Sequence, residues 1–245
     1  VEITLLGQNV NAYKQNSKTG SFAQLLRDVG SLNGLQRLRF MSPHPRDFTD
    51  DVIAAMAETP TVMPHLHMPL QSGSDRILQS MRRSYRQERY LGIIDRVRAA
   101  IPNAAITTDI IVGFPGETDQ DVEILAQFLT SARLDAVGVF PYSDEEGTPA
   151  QGLDGHVSAA EINDIFGHIS TLVERLTEQA AMSRVGQSVT VLIEEADNVG
   201  RSAHQGPDVD GHTVVYADRE LAVGEVIVAT VTGTDGVDLI AEVAQ

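Results

Sequence analysis

The chain has 245 residues, which is enough for one or two domains with full-sized cores. Hydrophobic residues make up 42% and charged residues 21% of the sequence, a balance typical of a folded globular protein. Cysteine is absent, so disulfides, zinc–thiolate sites, thiol nucleophiles and cysteine-held iron–sulfur clusters are excluded for this polypeptide. No apolar run approaches the roughly 20 residues that span a bilayer, and no signal peptide opens the chain, so we expect a cytoplasmic location and no membrane partner.

The net charge of −16 is distributed unevenly along the chain. Residues 1–118 hold 13 basic and 11 acidic side chains, whereas residues 119–245 hold 5 basic and 23 acidic ones. Clustered arginines in the first half could meet a nucleic acid, while a strongly acidic surface repels phosphates and suits a basic protein. The two halves are therefore predicted to face different surroundings.

Apolar runs and amphipathic stretches alternate over the first 150 residues. Five strands are predicted, at residues 3–6, 38–41, 65–68, 105–112 and 136–140. Ser21, Thr49 and Thr118 each precede a helical pattern and have side chains that cap helix N-termini, and further helical segments run to about Ala100. This alternation predicts an α/β fold with a parallel sheet, either open or barrel-like. Ligands of such sheets bind beyond the carboxyl ends of the strands.

The pattern changes after residue 157. A long amphipathic helix is predicted over about residues 159–183, and four short strands follow it, at residues 189–193, 213–216, 226–231 and 239–243. Turns rich in glycine and aspartate separate these strands, as in a small antiparallel barrel. We therefore expect a sheet domain at 1–157, a connecting helix at 158–185 and a β domain at 186–245.

Polar motifs follow the predicted strands, where a ligand is expected, and the most unusual is HLHMPLQSGSD at residues 65–75. His65 and His67 face the same side of a strand, because side chains alternate with period two. They are interpreted either as a metal pair or as hydrogen-bonded imidazoles. Gln71 and Ser72 offer donors and acceptors suited to a ribose or an amino-acid group, and a turn followed by a helix cap would use the same residue types.

Two further groups of residues also have two interpretations each. The motif GFPGE at residues 113–117 either exposes backbone amides to an adenine or phosphate, or forms a tight turn. Helical spacing would place Arg82, Arg86 and Arg89 on one face of a helix, beside Arg83. Because arginine pairs bidentately with carboxylate and phosphate, this group is either an anion-binding surface or a solvated helix face.

Together these residues resemble the radical S-adenosylmethionine (SAM) methylthiotransferases. In residues 1–118 the strings LLGQNVNAY (5–13), RFMSPHPRDF (39–48), HLHMPLQSGSDRIL (65–78) and TTDIIVGFPGET (107–118) resemble the MiaB branch, which modifies tRNA. In residues 119–245 the strings at 128–150, 200–211 and 233–242 resemble the RimO branch, which modifies a ribosomal protein. The terminal domain resembles a TRAM module in both cases.

The resemblance implies a partial, TIM-like radical SAM barrel followed by a small antiparallel TRAM barrel. It implies a transferase that uses SAM and 4Fe-4S clusters to add a methylthio group to isopentenyladenosine next to the anticodon of tRNA. The alternative substrate is an aspartate of a small-subunit ribosomal protein. In relatives, a cluster-binding domain and a first barrel strand ending in CxxxCxxC precede the strand that corresponds to the start of this sequence. Because these elements are missing here, this chain by itself is expected to be inactive.

The resemblance also implies roles for individual residues. The SAM side of the cavity would be lined by Gln8, Asn9, His67, Gln71, Ser72, Asp109 and Phe140. The carboxylate of SAM, or the substrate, would be contacted by Arg82 and Arg83. The resemblance identifies no catalytic cysteine and no metal ligand in this chain.

Several hypotheses remain open at this stage. The change of resemblance near Thr118 indicates either a chimera of two branches or one divergent enzyme with an acidic second half. The favoured substrate is tRNA, because the barrel loops would contact the reacting base; a basic ribosomal protein could instead meet the acidic half. A third hypothesis is a non-catalytic binding fragment.

Overall fold

The computed structural model describes residues 1–13, 21–207 and 210–243. Within these ranges the first part of the molecule contains the parallel strands β1 (Glu2–Leu5), β2 (Arg37–Phe40), β3 (His65–His67), β4 (Ala105–Val112) and β5 (Ala136–Pro141). Strand β1 pairs with β2, and β3, β4 and β5 pair in that order. Parallel bridges from Leu38 to Val62 and from Met41 to His67 connect the two groups. The predicted parallel α/β sheet is therefore confirmed.

Helices connect and cover the strands. They are α1 (Phe22–Gly30), α2 (Asp50–Glu58), α3 (Asp75–Ser80), α4 (Gln87–Ala100), α5 (Asp119–Ala132) and α6 (Ala159–Met182). Ser21 caps α1, since its hydroxyl accepts a hydrogen bond from the amide of Gln24, and Thr118 and Asp121 form a capping box at α5. Thr49 precedes α2 as predicted, although its side chain makes no capping hydrogen bond. None of the described helices is long and apolar enough to cross a bilayer.

The alternation of side chains along each strand separates an apolar face from a polar one. Leu38, Leu66 and Ile106 join the buried core formed with the helices, in which the rings of Tyr90 and Phe128 meet edge to face at 5.9 Å. The neighbouring residues on the same strands are polar and lie on the opposite, inner face of the sheet. They include Arg37, Arg39, His65, His67, Thr107 and Asp109.

The last part of the chain forms a closed barrel. Its strands are β6 (Ser188–Glu195), β7 (Val199–Ser202), β8 (Thr213–Tyr216), β9 (Val226–Asp235) and β10 (Asp238–Val243), in the order β10-β8-β7-β6-β9. The expected purely antiparallel barrel is wrong at one pair, because β8 and β10 run parallel. Strand β7 was not predicted, since Val-Gly-Arg-Ser has no alternating apolar pattern. Gly200 is required there, because a Cβ would collide with the carbonyl of Leu192.

This C-terminal barrel, β6–β10, packs against the amino ends of the parallel strands. Arg37 donates hydrogen bonds to the carbonyl oxygens of Arg201 (2.9 Å) and Thr190 (3.0 Å), and Arg39 donates to Ala203 (3.0 Å). Arg201 in turn forms an ion pair of 3.0 Å with Glu2 at the start of β1. The barrel therefore covers the amino end of the sheet and leaves the opposite, carboxyl end free.

Candidate functional site

The loops that follow the strands meet at the carboxyl end of the sheet, as expected for parallel strands. The segments in question are residues 7–9 after β1, 42–45 after β2, 69–72 after β3 and 113–117 after β4. A hydrogen bond from the side chain of Asn11 to the carbonyl of His44 (3.0 Å) joins the first two loops. The hydroxyl of Tyr85 donates to the carbonyl of Leu70 (3.0 Å) and holds the third loop. This end of the sheet is the candidate site.

His67 and Asp109 form the polar centre of the site. His67 is 8% exposed; its Nδ1 lies 3.0 Å from the hydroxyl of Thr107, and its Nε2 lies 3.3 Å from Oδ2 of Asp109. Of the two interpretations of the histidines, this geometry favours hydrogen-bonded imidazoles. Within the described ranges, no three histidine or acidic side chains are grouped as metal ligands.

Beside Asp109, β5 provides an aromatic surface. Asp109 is paired with Gly138, and Ile111 with Phe140, in the register of β4 and β5. A Cβ on Gly138 would lie 2.5 Å from Oδ1 of Asp109 and 2.9 Å from the ring of Phe140, so the glycine leaves room for both side chains. The Phe140 ring is about half exposed (51%). A carboxylate next to an open aromatic ring suits a ligand that has both hydroxyl groups and a planar ring.

Gln71 and Ser72 have different surroundings. Gln71 adopts a positive φ of 75°, and its backbone bonds to the carbonyl of Asp109 and to the amide of Ile111, at 2.8 Å each. Its side chain is half-buried at the site. Ser72 has no exposed surface, and its hydroxyl accepts a hydrogen bond from the amide of Ser74. In this conformation Ser72 supports the loop.

The loop after β1 contributes Gln8 and Asn9. Gln8 is exposed. The side-chain Nδ2 of Asn9 donates to Oδ2 of Asp47 at 2.9 Å. The side-chain Oδ1 of Asn9 is buried without a hydrogen-bond partner among the described residues. Hydrogen bonds from Arg46 and Asn9 lower the pKa of Asp47 to about 2, so this carboxylate is charged at neutral pH. Asn9 is thus held from one side and offers an unused acceptor.

The structure corrects the expected arrangement of the arginines. Arg82, Arg86 and Arg89 do not share a helical face, because α3 ends at Ser80, Arg82 has a positive φ of 56° and Arg86 precedes the first residue of α4. The physical reason is Tyr85, whose buried hydroxyl donates to the carbonyls that follow β3 and pulls the chain out of helical conformation. The arginines therefore surround a break between two helices.

Backbone hydrogen bonds fix two of these four arginines, and those of Arg89 tie it to the loop that follows β2. Arg89 donates to the carbonyls of Pro45 (3.1 Å) and Arg46 (2.7 Å), and Arg86 donates to that of Arg83 (2.8 Å). None of Arg82, Arg83, Arg86 and Arg89 forms an ion pair with a carboxylate among the described residues. The buried Nε of Arg83 also has no partner there. The group, which we call the arginine surface, keeps its positive charge available to an anion.

The GFPGE motif is a tight turn. The amide of Gly113 donates to Oε2 of Glu117 at 2.5 Å, and the amide of Gly116 donates to the carbonyl of Gly155 at 2.7 Å. Burial raises the pKa of Glu117 to about 7, even though the bond from Gly113 opposes this shift. Since these amides are already bonded, the motif does not present them to an adenine or phosphate in this conformation.

Thr107 and Gly138 are absent from the predicted set, yet they shape the site. Period-two alternation along β4 places Thr107 and Asp109 on one face, and this pattern could have identified Thr107. No comparable signal identifies Gly138, because its role depends on the register between β4 and β5. Two cavities, of about 690 and 560 Å³, lie beside α6 on the outer side of the sheet. None of the site residues lines either cavity.

Comparison with known proteins identifies both parts of the chain. Residues 1–129 match the model of the radical SAM superfamily, and residues 185–244 match that of the TRAM domain. The fold resembles that of coproporphyrinogen III oxidase from Escherichia coli, a radical SAM enzyme, with a TM-score of 0.52 and 18% identity. That match covers 67% of this chain and 37% of the oxidase, and it supports the fold alone.

Curated relatives match along nearly the whole chain. Proteins named tRNA-2-methylthio-N(6)-dimethylallyladenosine synthase are 49% identical in Mycolicibacterium vanbaalenii and Mycobacterium avium, and 48% identical in Streptomyces viridosporus. The alignments cover 99%, 99% and 98% of this chain, but 50%, 35% and 49% of the respective relatives. The chain thus spans about half or less of their length.

These alignments bear on the expected change of branch near Thr118. The same relatives match both sides of that position, and their names refer to tRNA. A single alignment with each of these relatives thus spans both halves of the chain. The chain belongs to the radical SAM superfamily and carries a TRAM domain at its C-terminal end.

Proposed function

We propose that this chain is part of a tRNA methylthiotransferase. The observation that carries the proposal is the identity of 48–49% with tRNA-2-methylthio-N(6)-dimethylallyladenosine synthases over 98–99% of the chain. We also propose the division into a partial radical SAM barrel at 1–157, a connecting helix at 158–185 and the TRAM domain at 186–245. The polar, open carboxyl end of the sheet is the proposed site.

The residues of the site fit SAM. Asp109 can accept hydrogen bonds from ribose hydroxyls, and the exposed ring of Phe140 can stack on a planar base. Asn9 has an unused buried acceptor, which suits the amino group of the methionine part. Gln8, His67 and Gln71 complete the proposed contacts, while Ser72 would hold the loop. When bound, SAM would supply the methyl group.

A 4Fe-4S cluster does not fit the residues of this chain. Its usual ligands are cysteine thiolates, and the 245 residues contain none. What the chain's own residues provide is binding and orientation: a carboxylate fixed by His67, an aromatic surface and a group of arginines.

The arginine surface is proposed to bind the RNA. Guanidinium groups pair with phosphates, and none of Arg82, Arg83, Arg86 and Arg89 is neutralised by a carboxylate among the described residues. Elsewhere in the molecule, arginines such as Arg201 and Arg219 in the TRAM domain are paired with glutamates. Phosphate contacts are therefore expected near the site rather than on the acidic TRAM surface.

Binding of an anticodon stem-loop RNA tests the proposal. The RNA would be fluorescently labelled, and its affinity for the full chain measured by anisotropy at several salt concentrations. Replacing Arg82 and Arg83 by glutamine should weaken binding and reduce the slope of log K against log salt by about 1 per lost phosphate contact. Arg175→Gln is the matched control, since Arg175 is an exposed arginine on α6, away from the site.

The outcomes separate the hypotheses. Equal losses for the site variant and for Arg175→Gln would indicate nonspecific attraction and contradict the RNA surface. If the chain ignored the RNA but bound a basic ribosomal protein, the alternative substrate would be supported instead. The ligand site is tested separately by titrating the chain with S-adenosylhomocysteine and monitoring the NMR signals of Phe140.

A further inference from the structure

A continuous row of polar contacts crosses the inner face of the sheet from the TRAM domain to the site. It begins at Asp210, whose Oδ2 lies 2.7 Å from Nε2 of His65. It continues from His65 to the hydroxyl of Thr107 (3.4 Å), from Thr107 to Nδ1 of His67 (3.0 Å), and from Nε2 of His67 to Asp109 (3.3 Å). The contacts therefore connect two domains through three side chains.

The Asp210 end of this row is rigidly built. His65 is fully buried, and burial lowers the pKa of its imidazole, so the ring is neutral at neutral pH. Burial would raise the pKa of Asp210, but the hydrogen bonds from the His65 ring and from the amide of Gly206 lower it below the usual value. Oδ2 of Asp210 also accepts the amide of Gly206 at 2.9 Å, and a Cβ on Gly206 would crowd His65 at 2.9 Å.

These contacts determine where the protons lie. Nδ1 of His65 has no hydrogen-bond partner among the described residues, so the single proton of the neutral ring belongs on Nε2, facing Asp210. A protonated Nε2 cannot accept the hydroxyl proton of Thr107. That proton is then free to be donated to Nδ1 of His67, which leaves the proton of His67 on Nε2, pointing at Asp109.

We infer that Asp210 of the TRAM domain is a positioning residue for the site at the carboxyl end of the sheet. By holding the proton on His65, it directs the hydroxyl of Thr107 to His67 and so fixes His67 as a donor to Asp109. The TRAM domain thereby orients the carboxylate proposed to contact SAM. The significance of this orientation rests on the proposed function, but the row of contacts itself does not.

The test measures tautomers and needs no ligand. The full chain would be labelled with ¹⁵N-histidine, and the signals of His65 and His67 assigned with His→Gln variants. In the unsubstituted chain Nε2 of each ring should carry a proton, directed at Asp210 from His65 and at Asp109 from His67. In Asp210→Ala, Nε2 of His65 can lose its proton and then accept the hydroxyl proton of Thr107. Nδ1 of His67 would no longer be the only acceptor for that hydroxyl. We therefore expect His67 to populate both neutral tautomers, with the proton on Nε2 or on Nδ1.

Conservative variants distinguish positioning from a general structural effect. Asp210→Asn keeps an acceptor oxygen and should restore the His67 signature, and Thr107→Ser should keep it while Thr107→Val should abolish it. The matched control is Asp238→Ala, because Asp238 pairs with His212 at 3.1 Å within the same domain and is not part of the row. That variant should leave His67 unchanged.

Two results would overturn the inference. One is a wild-type His67 protonated on Nδ1, which can be seen even if Asp210→Ala fails to fold. The other is an Asp210→Ala protein that keeps its folded amide spectrum and an unaltered His67. A chain that shows the expected tautomers yet binds no S-adenosylhomocysteine would contradict the proposed ligand and leave the positioning role standing.

Discussion

Arg37 on β2 donates a hydrogen bond of 2.9 Å to the carbonyl oxygen of Arg201 on β7, across the contact between the parallel sheet and the TRAM domain. The guanidinium is 2% exposed and also donates to the carbonyl of Thr190. Burial lowers the pKa of Arg37 to about 10, which still leaves it charged at neutral pH. A buried cation on the sheet thus bonds to two carbonyls of the TRAM barrel, one of which, that of Thr190, also accepts the amide of Ala203 at 2.9 Å.

Arg37→Met is therefore expected to destabilise the contact between the domains. It removes the two charge-assisted hydrogen bonds from the buried guanidinium to the carbonyls of Arg201 and Thr190, at a cost of roughly 2 to 4 kcal/mol in the free energy of unfolding. Urea unfolding followed by circular dichroism measures this loss. Arg219→Met, which removes an exposed ion pair with Glu225, should destabilise the protein much less, because solvent screens that pair. Equal losses for the two variants would contradict the structural role of Arg37.

Glu117 should make stability depend on pH. Its pKa is raised from 4.5 to about 7 by burial, so its contribution is fully present below about pH 4.5 and is lost as the pH rises through 7. Glu117→Gln should remove this dependence. The variant should gain roughly 2 to 3 kcal/mol relative to the unsubstituted chain between about pH 5 and about pH 8. Parallel stability curves for the two proteins over that range would show that Glu117 titrates normally.

Asp121 joins α5 to the loop after β3. It accepts hydrogen bonds from the hydroxyl of Ser74 (2.6 Å) and the amide of Thr118 (2.9 Å), and it pairs with Arg76. Burial opposes its ionisation, but these bonds prevail and lower its pKa to about 2, so the contribution is present above about pH 3.8 and is lost as the pH falls through 2.

Asp121→Asn should reduce the free energy of unfolding at neutral pH by roughly 2 to 3 kcal/mol, because charge-assisted hydrogen bonds are lost in a buried position. The control is Asp119→Asn in the same helical turn, which is exposed and should cost only about 0.5 kcal/mol through the helix dipole. Thermal and urea unfolding of both variants would reveal the difference. Similar values would mean that Asp121 acts only through the dipole.

Gly138→Ala tests the space beside Asp109. The new methyl group would meet Oδ1 of Asp109 at 2.5 Å and the ring of Phe140 at 2.9 Å, so the carboxylate and the ring must both leave their present positions. Affinity for S-adenosylhomocysteine, measured by calorimetry, should fall about tenfold, equivalent to 1.4 kcal/mol. Gly92→Ala, inside α4 with open space around it, should leave affinity unchanged and stabilise the helix by about 0.5 to 1 kcal/mol. Unchanged binding by Gly138→Ala would remove this surface from the proposed site.

Much of the sheet domain could be predicted from local patterns. The β4 strand was expected at residues 105–112 and is found at Ala105–Val112, because a segment rich in β-branched residues that is bounded by turn residues is a sufficient signal for a strand. The N-terminal signals at Ser21 and Thr118 were also correct, since capping depends only on neighbouring residues. The polar loops at the carboxyl ends followed from the parallel order.

Other features had no local signal. The break between α3 and α4 is set by Tyr85, whose hydroxyl donates to the carbonyls of Pro69 and Leu70 in the loop that follows β3. The parallel pairing of β8 with β10 depends on how the barrel closes. Helical spacing alone therefore placed Arg82, Arg86 and Arg89 wrongly on one helical face.

The chemistry that is available to this protein follows from its amino-acid composition and from the order of its residues. The absence of cysteine, the placing of polar loops after apolar strands, the cluster of arginines and the acidic second half are all properties of the linear chain. Tertiary structure decided which groups meet. Arg37 and Arg201 are 164 residues apart, and Asp210 reaches His65 only when the TRAM domain lies on the amino end of the sheet. Periodicity reports the face on which a side chain lies, but its partner on that face is decided by packing between distant segments.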